Sequence, residues 1–469
     1  MQYVSSRGEA PVLGFSDVLL AGLATDGGLY VPREWPQISA EEIRGFRGRP
    51  YAEVALRVLH PFVGTDIAEN DLKRMVDEAY ATFRHPAVAP LVQLGPRHFV
   101  LELFHGPTLA FKDIAMQLLA RLMDHVLAER GGRATIVGAT SGDTGGAAIS
   151  AFAASQRTDI FILFPKGRVS PVQQRQMTTS GASNVRAIAI DGTFDDCQAL
   201  IKAMFNDLRF REETKLSGVN SINWARIMAQ IVYYFTAAAS LGGPDQPVSF
   251  TVPTGNFGDI FAGYAAKRMG LPIDRLVIAT NENDILARTM ETGRYEMTGV
   301  HATMSPSMDI QISSNFERLL FEAGGRDGDG VRRLMQQLAQ SGSFALPEET
   351  RAAIVSEFVA ARTGEAETEA TIQEIFTSTG YLLDPHTAVG VNVAAKQFGD
   401  SPMVTLGTAH PSKFPDAVRK ASGVWPELPP AHGDLMERLE VFDSLPNDLK
   451  AVEAYITGRS SAVTTGASA

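Results

Sequence analysis

The sequence predicts an α/β protein whose parallel sheets are covered by helices. Short segments rich in Val, Ile and Phe alternate along the chain with longer, Ala-rich segments of helical character. The short segments are apolar throughout, which is typical of strands buried on both faces in a parallel sheet. Helical segments at 144–155, 171–179 and 257–269 follow the first three and would form the crossovers. The predicted strands are ATIVG at 134–138, IFILF at 160–164, VSFTV at 248–252, RLVIA at 275–279 and MVTL at 403–406.

The α/β pattern occupies the middle of the chain. Residues 1–90 are predicted to form a small, largely helical N-terminal domain, with loop signals such as TDGG at residues 25–28. Residues 91–445 form the main region, which we divide into two α/β subdomains. The smaller subdomain covers about residues 131–215.

Two segments depart from the strand rhythm. Between residues 284 and 379 the strand signal fades and polar helical segments dominate, so we predict a helical insertion there. Residues 446–469 form a C-terminal segment. Its end, residues 460–469, is composed of small and polar residues and is predicted to be a disordered tail.

Composition argues against several functional classes. The 469 residues carry 42 Lys and Arg against 53 Asp and Glu, so the chain has no general attraction to nucleic acid or to an anionic membrane surface. No run reaches the roughly 18 apolar residues that a membrane span needs. The single cysteine, Cys197, excludes an intramolecular disulfide and a Cys-rich zinc site. We therefore expect a soluble, cytoplasmic protein. The nine histidines form no HExxH motif or close cluster, so we predict no metal site.

Two glycine-rich junctions join predicted strands to the helices that follow. GATSGDTGG at 138–146 and PTGNFGD at 253–259 leave backbone N–H groups open to an anion at the positive end of a helix. Both lie beyond the carboxyl ends of strands, where parallel sheets bind their ligands. Neither junction matches the GxxxxGKS/T or GxGxxG pattern of nucleotide-binding proteins, so the sequence gives little reason to expect a nucleotide ligand. The alternative is that the glycines only make tight turns. The presence of two such junctions in corresponding positions makes this alternative less favoured.

Lys112 is the candidate nucleophile. It follows LELFHGPTLAF at residues 101–111 and begins a helix whose apolar residues recur at helical spacing. The helix dipole opposes a cation in the first turn, and the neighbouring Phe111 indicates a poorly solvated setting. Both effects favour the neutral amine that a Schiff base requires, whereas Asp113 acts in the opposite direction. The alternative is an ordinary solvated surface lysine.

Three further segments carry polar groups that a ligand could use. LGTAHPSKF at 406–414 places a hydroxyl and an imidazole at the end of a strand, although a hydroxyl there is as often a helix cap. NSINWAR at 220–226 and PKGRVSP at 165–171 are candidates for holding a substrate phosphate. For these two, the alternative is a capped helix and a solvated loop.

An amine able to form an imine, a glycine-rich phosphate cradle and a hydroxyl to face a ring nitrogen together meet the requirements for pyridoxal 5′-phosphate (PLP). The segments that supply them also resemble the threonine synthase family, in its longer bacterial and fungal branch. The resemblance covers most of the chain. It is carried by ELFHGPTLAFKD at 102–113, ATSGDTG at 139–145, PTGNFGD at 253–259 and LGTAHP at 406–411, and extends through TDGGLYVP at 25–32, NSIN at 220–223 and GYLLDPH at 380–386.

The resemblance implies the fold-type II architecture of PLP enzymes, similar to the tryptophan synthase β subunit, with a family-specific N-terminal domain over residues 1–90. Lys112 would carry PLP through a Schiff base and then move protons between the substrate's carbons. Thr408 would hydrogen-bond the pyridine nitrogen. The cofactor phosphate would be held by the backbone N–H groups of Gly255, Asn256, Phe257 and Gly258.

Asp143 is the one implied cofactor contact that departs from the wider fold, where many relatives have Asn. An ionised carboxylate cannot donate a hydrogen bond, so its contact to the ring oxygen must share a proton or be absent. Arg226 and Lys166 are our candidates for the departing phosphate. The residues predicted to bind the substrate are Ser141, Gly142, Thr144, Asn223, Arg226 and Lys166.

The implied reaction is the last step of threonine biosynthesis, in which a PLP-dependent carbon–oxygen lyase converts O-phospho-L-homoserine and water to L-threonine and phosphate. Two alternatives stay open. One is a PLP-dependent phospholyase or dehydratase on the same fold, which yields an oxo acid, and the other is a non-catalytic phospho-ligand-binding protein. The expected partner is a small molecule rather than nucleic acid or a membrane, and the expected assembly is a monomer or a small homo-oligomer.

Overall fold

The computed structural model describes residues 1–463. The N-terminal part combines a two-stranded antiparallel sheet with four helices. Helix α2 begins with a capping box, in which Ser39 Oγ accepts from the N–H of Glu42 and the Glu42 carboxylate accepts from the N–H of Ser39. The elements are β1 (Tyr3–Ser5), α1 (Phe15–Ala21), β2 (Tyr30–Pro32), α2 (Ala40–Gly45), α3 (Tyr51–Val63) and α4 (Glu69–Tyr80).

The middle of the chain alternates strands and helices as the sequence predicts. Its elements are β3 (Leu91–Gln93), β4 (His98–Glu102), α5 (Lys112–Glu129), β5 (Ala134–Ala139), α6 (Asp143–Phe152), β6 (Thr158–Pro165), α7 (Pro171–Thr178), β7 (Val185–Asp191), α8 (Phe194–Asn206), α9 (Leu208–Thr214), β8 (Leu216–Ser217), α10 (Trp224–Ser240), β9 (Val248–Pro253), α11 (Gly258–Arg268) and β10 (Ile273–Thr280).

The rest of the chain, after β10, is mainly helical at first and then adds strands to both sheets. Its elements are α12 (Ile285–Thr292), β11 (Arg294–Glu296), α13 (Phe316–Ala323), α14 (Gly328–Ser341), β12 (Ser343–Ala345), α15 (Glu348–Glu357), β13 (Phe358–Arg362), α16 (Glu365–Thr379), α17 (Pro385–Ala395), β14 (Met403–Gly407), α18 (Pro415–Ser422), β15 (Asp443–Pro446) and α19 (Leu449–Thr457). Single 3-10 turns lie at Pro306–Met308, Pro411–Lys413 and Pro430–His432.

Two mostly parallel sheets form the body of the molecule and confirm the predicted fold class. The larger sheet has the strand order β13-β10-β9-β14-β4-β3, and its pairs are parallel except for β3 with β4. The smaller sheet has the order β15-β7-β6-β5-β8 and is parallel throughout. Strands β6 and β9 are buried along their whole length, as expected for sheets covered on both faces.

Aromatic packing joins the N-terminal part to the larger sheet's helices. Trp224, the first residue of α10, is fully buried, and its ring lies 5.6–6.0 Å from the rings of Tyr3, Trp35 and Phe62. These contacts belong to one continuous apolar core that also includes α5 and α11. In the described part of the chain, no helix is both long and apolar enough to cross a membrane.

The insertion at 284–379, predicted to be helical, is mainly helical but also contains three strands. Strands β11 and β12 pair with each other there, and β13 forms the edge of the larger sheet in parallel register with β10. The sequence of β13, FVAAR, is rich in Ala and follows α15 without a turn residue, so local preference hides the strand. Its pairing with a distant strand overrides that preference.

The C-terminal segment belongs to the smaller sheet. Strand β15 pairs with β7, and Val452 and Ile456 of α19 pack in one apolar cluster with Ile188 and Cys197. The smaller α/β unit therefore extends beyond the predicted limit at 215. The division of the chain at residues 90, 131 and 445 stays a prediction.

The disordered tail predicted for residues 460–469 is wrong for its first residues. Ser460 is buried, and its hydroxyl lies 2.5 Å from the hydroxyl of Thr135. The backbone N–H of Ser461 donates to Asp159 at 2.7 Å. Residues 464–469 lie outside the described residues.

Candidate active site

A cavity of about 220 Å³ opens at the carboxyl ends of β9 and β14, beside the first turns of α5, α6 and α11. This is the edge where parallel sheets bind their ligands. The cavity brings together side chains and loops that are far apart in the sequence. The predicted site residues that line it are Lys112, Asp143, Thr144, Arg226, Gly255, Asn256, Phe257, Gly258 and Thr408.

Lys112 lies at the cavity wall as the first residue of α5. Its side chain is nearly buried, and its Nζ lies 4.7 Å from the centre of the Phe111 ring. Burial lowers the pKa of the amine, while the negative charge of Asp143 acts in the opposite direction. A lysine with a lowered pKa is more often in the neutral form that attacks a carbonyl group.

Asp113 was expected to oppose that effect, but its carboxylate is hydrogen-bonded by Thr108. It accepts from the backbone N–H and the hydroxyl of Thr108, both at 2.7 Å. Gly106 is needed at this turn because a Cβ there would lie 2.5 Å from Asp113. Burial raises the pKa of Asp113 to about 6. This residue fixes the turn that leads into α5.

Asp143 begins α6 and lies between two lysines. Its Oδ2 is 3.2 Å from Lys112 Nζ, and its Oδ1 is 3.1 Å from Lys413 Nζ. Gln173 Nε2 also donates to Oδ1 at 2.8 Å. Burial alone would raise the pKa of Asp143, but the charges of Lys112 and Lys413 outweigh it and hold the pKa well below its usual value. The residue is therefore an ionised carboxylate near neutral pH.

The loop after β9 fits an anion. Phe257 adopts a left-handed conformation, with φ of 63°, where α11 begins. Within residues 1–463, no main-chain carbonyl accepts a hydrogen bond from the N–H groups of Gly255, Asn256, Phe257 or Gly258. Unpaired N–H groups at a helix start are a phosphate-binding arrangement.

Two glycines keep this loop close to its neighbours. A Cβ at Gly255 would lie 2.7 Å from the carbonyl oxygen of Ser307, and a Cβ at Gly258 would lie 3.2 Å from Ile227. Asn315 Nδ2 donates to the carbonyl oxygen of Asn256 at 2.9 Å and holds the loop from the other side. A larger residue at Gly255 would displace the cradle.

Arg226, in the first turn of α10, is a buried cation with an unpaired N–H donor. One of its terminal nitrogens donates to the carbonyl oxygen of Val219 at 2.9 Å, but its buried Nε contacts no acceptor in the described structure. Burial lowers its pKa to about 10, so the guanidinium stays charged at neutral pH. An unpaired buried donor beside a cavity is a feature that an anionic ligand would satisfy.

Asp259, the last residue of the glycine-rich junction at 253–259, is a buried carboxyl at the cavity wall. The hydroxyl groups of Tyr233 and Tyr234 both donate to its Oδ1, the second at 3.1 Å. Burial raises the pKa of Asp259 to about 6 despite these two donors. Burial therefore destabilises the ionised form of Asp259.

Thr408 stands directly after β14 and is buried, with its side chain at the cavity. Its N–H donates to the hydroxyl of Thr387 at 3.2 Å, and its carbonyl oxygen accepts from the N–H of Phe111 at 2.8 Å. The backbone is therefore fixed on both sides. The hydroxyl is held at the wall of the cavity.

Four residues predicted to bind the substrate do not line this cavity. Ser141 and Gly142 form the turn before α6, where the N–H of Gly142 donates to Thr140 Oγ1. Asn223 caps α10 through the N–H of Ala225, and its Nδ2 donates to the carbonyl oxygen of Leu19 at 2.9 Å, so it is structural. Lys166 is exposed and pairs with Asp191 at 3.3 Å.

Sequence reasoning missed His386 and Ser307, which also line the cavity. The N–H of Ser307 donates to His386 Nε2 at 3.1 Å, so this nitrogen carries no proton there. The proton then lies on Nδ1, which donates to Asp384 at 2.9 Å. The segment DPH at 384–386 belongs to the family resemblance, but it follows no predicted strand, so nothing in it indicated a cavity.

The described residues contain no group of three or more His, Cys, Asp or Glu side chains that could hold a metal ion. The features that do converge are a buried amine, an unpaired anion cradle and a hydroxyl beyond a parallel sheet. They fit PLP, whose aldehyde, phosphate and ring nitrogen call for these three groups.

Comparison with protein families gives the same class. The family described as "Pyridoxal-phosphate dependent enzyme" matches residues 83–408, so the molecule is a PLP-dependent enzyme of fold type II. The families "Threonine synthase N terminus" and "Threonine synthase, C-terminal" match residues 2–80 and 387–456. The chain belongs to the threonine synthase family.

Similar proteins cover nearly the whole chain. Threonine synthase from Pseudomonas aeruginosa is 55% identical over an alignment of 460 residues that covers 97% of this chain and 98% of that protein. The crystal structure of PLP-bound threonine synthase from Brucella melitensis is 68% identical, with a TM-score of 0.97, and covers 98% of this chain and 100% of its own. The yeast threonine synthase structure is 39% identical, with a TM-score of 0.92 and 98% coverage of both chains.

Proposed function

We propose that this protein converts O-phospho-L-homoserine and water to L-threonine and phosphate, and that Lys112 carries the cofactor. Membership of the threonine synthase family supports the reaction. The observation that carries the residue assignment is the buried amine of Lys112, which lines the same cavity as the unpaired N–H groups of residues 255–258. No observation favours the dehydratase or the non-catalytic alternative.

The chemistry that PLP supplies when bound is withdrawal of electrons from the substrate's carbons, which acidifies their protons. Lys112 would hold the cofactor through its amine, and its Nζ would take and return protons at the substrate's carbons. Its lowered pKa suits this work, because a general base acts best when its pKa lies near the operating pH.

The other residues of the cavity wall would bind and orient the cofactor. The N–H groups of residues 255–258 would hold the cofactor phosphate, and the hydroxyl of Thr408 would face the ring nitrogen. A hydroxyl leaves that nitrogen largely neutral, since it does not supply the negative charge that would stabilise a protonated ring.

The ionised Asp143 accepts hydrogen bonds rather than donating them, so it would meet the ring side of the cofactor as an acceptor or through a shared proton. Arg226 is our candidate for the substrate's anionic groups. Its unpaired Nε is the donor that such a group would occupy. Thr144 lines the same wall and would contact the substrate.

We place the protein in the cytoplasm as a monomer or a small homo-oligomer that acts on a small molecule. The single cysteine, Cys197, suits a reducing compartment. The net charge of −11 argues against nucleic acid as a partner.

The test is to incubate the purified protein and PLP with O-phospho-L-homoserine and to identify the products by NMR. The proposal expects threonine and phosphate in equal amounts. Formation of 2-oxobutyrate without threonine would establish the dehydratase alternative instead. Binding without turnover would establish the non-catalytic one.

A further inference from the structure

Lys413 is a second buried lysine beside Lys112, and the proposed reaction does not use it. It ends the 3-10 turn Pro411–Lys413, and its side chain is 0% exposed. Its Nζ lies 3.1 Å from one oxygen of Asp143, while Lys112 Nζ lies 3.2 Å from the other. One carboxylate thus bridges the amino groups of two lysines.

We propose that Lys413 is a positioning residue that acts on Lys112 through Asp143, engaging the shared carboxylate so that Lys112 is more readily neutral and nucleophilic. The inference rests on the proposed function, in which Lys112 attaches PLP. It concerns residues of this chain alone and does not require Lys413 to touch the cofactor.

The remaining contacts of Lys413 show why it needs Asp143. Its Nζ donates to the carbonyl oxygen of Thr108 at 2.6 Å and to Gln176 Oε1 at 2.7 Å, and both acceptors are neutral. A buried ammonium without a counterion is costly. Asp143 is therefore the counterion of both lysines, and its interaction with Lys413 weakens its interaction with Lys112.

Charged groups on several elements act on Lys112. Burial lowers the pKa of its amine, Asp143 raises it, and the charges of Lys413 and Arg226 lower it further. Asp259 in its ionised form acts in the same direction as Asp143. Removal of Lys413 takes away one nearby cation, so Asp143 interacts with Lys112 alone. The pKa of Lys112 should then rise. The charged and titratable groups around the cluster are Asp143 on α6, Lys413 on the 3-10 turn Pro411–Lys413, His432 on the 3-10 turn Pro430–His432, Arg226 on α10, Asp259 on α11, His386 on α17 and Asp113 on α5.

The experiment measures covalent attachment of PLP to cofactor-free protein between pH 5 and 10, at about unit steps of pH. The amine nitrogen bonds to the aldehyde carbon and one water leaves, and borohydride reduction fixes the product for peptide mapping. For Lys413→Met we expect the midpoint of the rate profile to rise by about one pH unit, so that attachment at pH 7 is about tenfold slower. Lys413→Arg keeps the charge and should restore the wild-type midpoint.

Asp143→Asn provides a test in the opposite direction. It removes the anion and leaves two cations near Lys112, so the midpoint should fall. An unchanged midpoint in Asp143→Asn would contradict the inference, whereas Lys413→Gln, which removes the charge but keeps a polar side chain, decides the question if Lys413→Met does not fold, as thermal unfolding and circular dichroism would reveal. Lys396→Met is the matched control, because Lys396 is an exposed lysine paired with Glu367.

The possible results separate the inference from the proposed function. Wild-type protein labelled at Lys112, with an unchanged midpoint in Lys413→Met or in Asp143→Asn, would overturn the inference and leave the proposed function standing. Wild-type protein labelled at another lysine would overturn both. A lower unfolding temperature with no shift in midpoint would show that Lys413 acts only in packing.

Discussion

The backbone N–H of Phe111 donates a hydrogen bond of 2.8 Å to the carbonyl oxygen of Thr408. The bond joins the residue before Lys112 to the residue directly after β14. A bridge between Ala110 and Ala409 and a bond from the N–H of His410 to the carbonyl oxygen of Leu109 flank it. Main-chain pairing, rather than side-chain packing alone, therefore sets the distance between the reactive amine and the Thr408 hydroxyl.

The first prediction concerns the anion cradle. Gly255→Ala places a Cβ 2.7 Å from a backbone oxygen, so the loop must move. We expect PLP affinity to fall tenfold or more, by roughly the 1–3 kcal/mol that overpacking costs. Fluorescence titration of the cofactor-free protein measures it. Gly45→Ala is the control, because no atom outside its own helix turn and chain neighbours lies within 4 Å of its added Cβ. Equal affinity in the two variants would contradict the cradle assignment.

The second prediction concerns Arg226. Replacing it with Met removes a buried charge that faces the cavity, and a charge-assisted hydrogen bond is worth roughly 1.5–3 kcal/mol. We expect KM for O-phospho-L-homoserine to rise by about tenfold to a hundredfold, with Arg226→Lys intermediate. Steady-state kinetics would show it, with the exposed Arg333→Met as the control. An unchanged KM in Arg226→Met would remove this residue from the site.

The third prediction concerns the pH dependence of stability. The pKa of Asp259 is raised by burial to about 6, so ionising it costs folding free energy. Relative to Asp259→Asn, the wild-type protein should lose up to about 3 kcal/mol of stability as pH rises from 4 to 6, and no more above that. Denaturant unfolding of both cofactor-free proteins at several pH values measures the difference. A difference that stays constant with pH would contradict the assignment.

The fourth prediction concerns the C-terminal segment. Ile456 is fully buried in the cluster of the smaller sheet, so Ile456→Ala should lower the free energy of unfolding by about 2–5 kcal/mol. Leu439→Ala, at a side chain that is 83% exposed, should change it by less than about 0.5 kcal/mol. Similar values for both would mean that α19 does not contribute to the core.

Local sequence patterns predicted what depends on local chemistry. Strands such as β6 and β9 are apolar along their length because both faces are buried, and that burial can be recognised from composition. Lys112 was predicted as a candidate because a helix start and apolar neighbours can be recognised in a few consecutive residues. The glycine-rich junction after β9 was recognised for the same reason.

The contacts that sequence reasoning missed join distant parts of the chain. Lys413 reaches Thr108 and Asp143 only because β14 lies beside β4 in the larger sheet and α6 begins at the same edge. Lys166 follows a strand as a ligand-binding residue would, yet its side chain pairs with Asp191 in solvent. Spacing in the sequence cannot distinguish these two lysines, because the difference lies in which neighbours the fold supplies.

The central claim is that the Lys112 amine carries the cofactor, and borohydride reduction followed by peptide mapping tests it most directly. Protein purified with PLP should show a visible absorption band that reduction removes, with the added mass on Lys112 alone. Lys112→Ala should show neither the band nor the label, and kcat should fall by about a thousandfold or more. A label on Lys413 or any other lysine, or full activity in Lys112→Ala, would contradict the account.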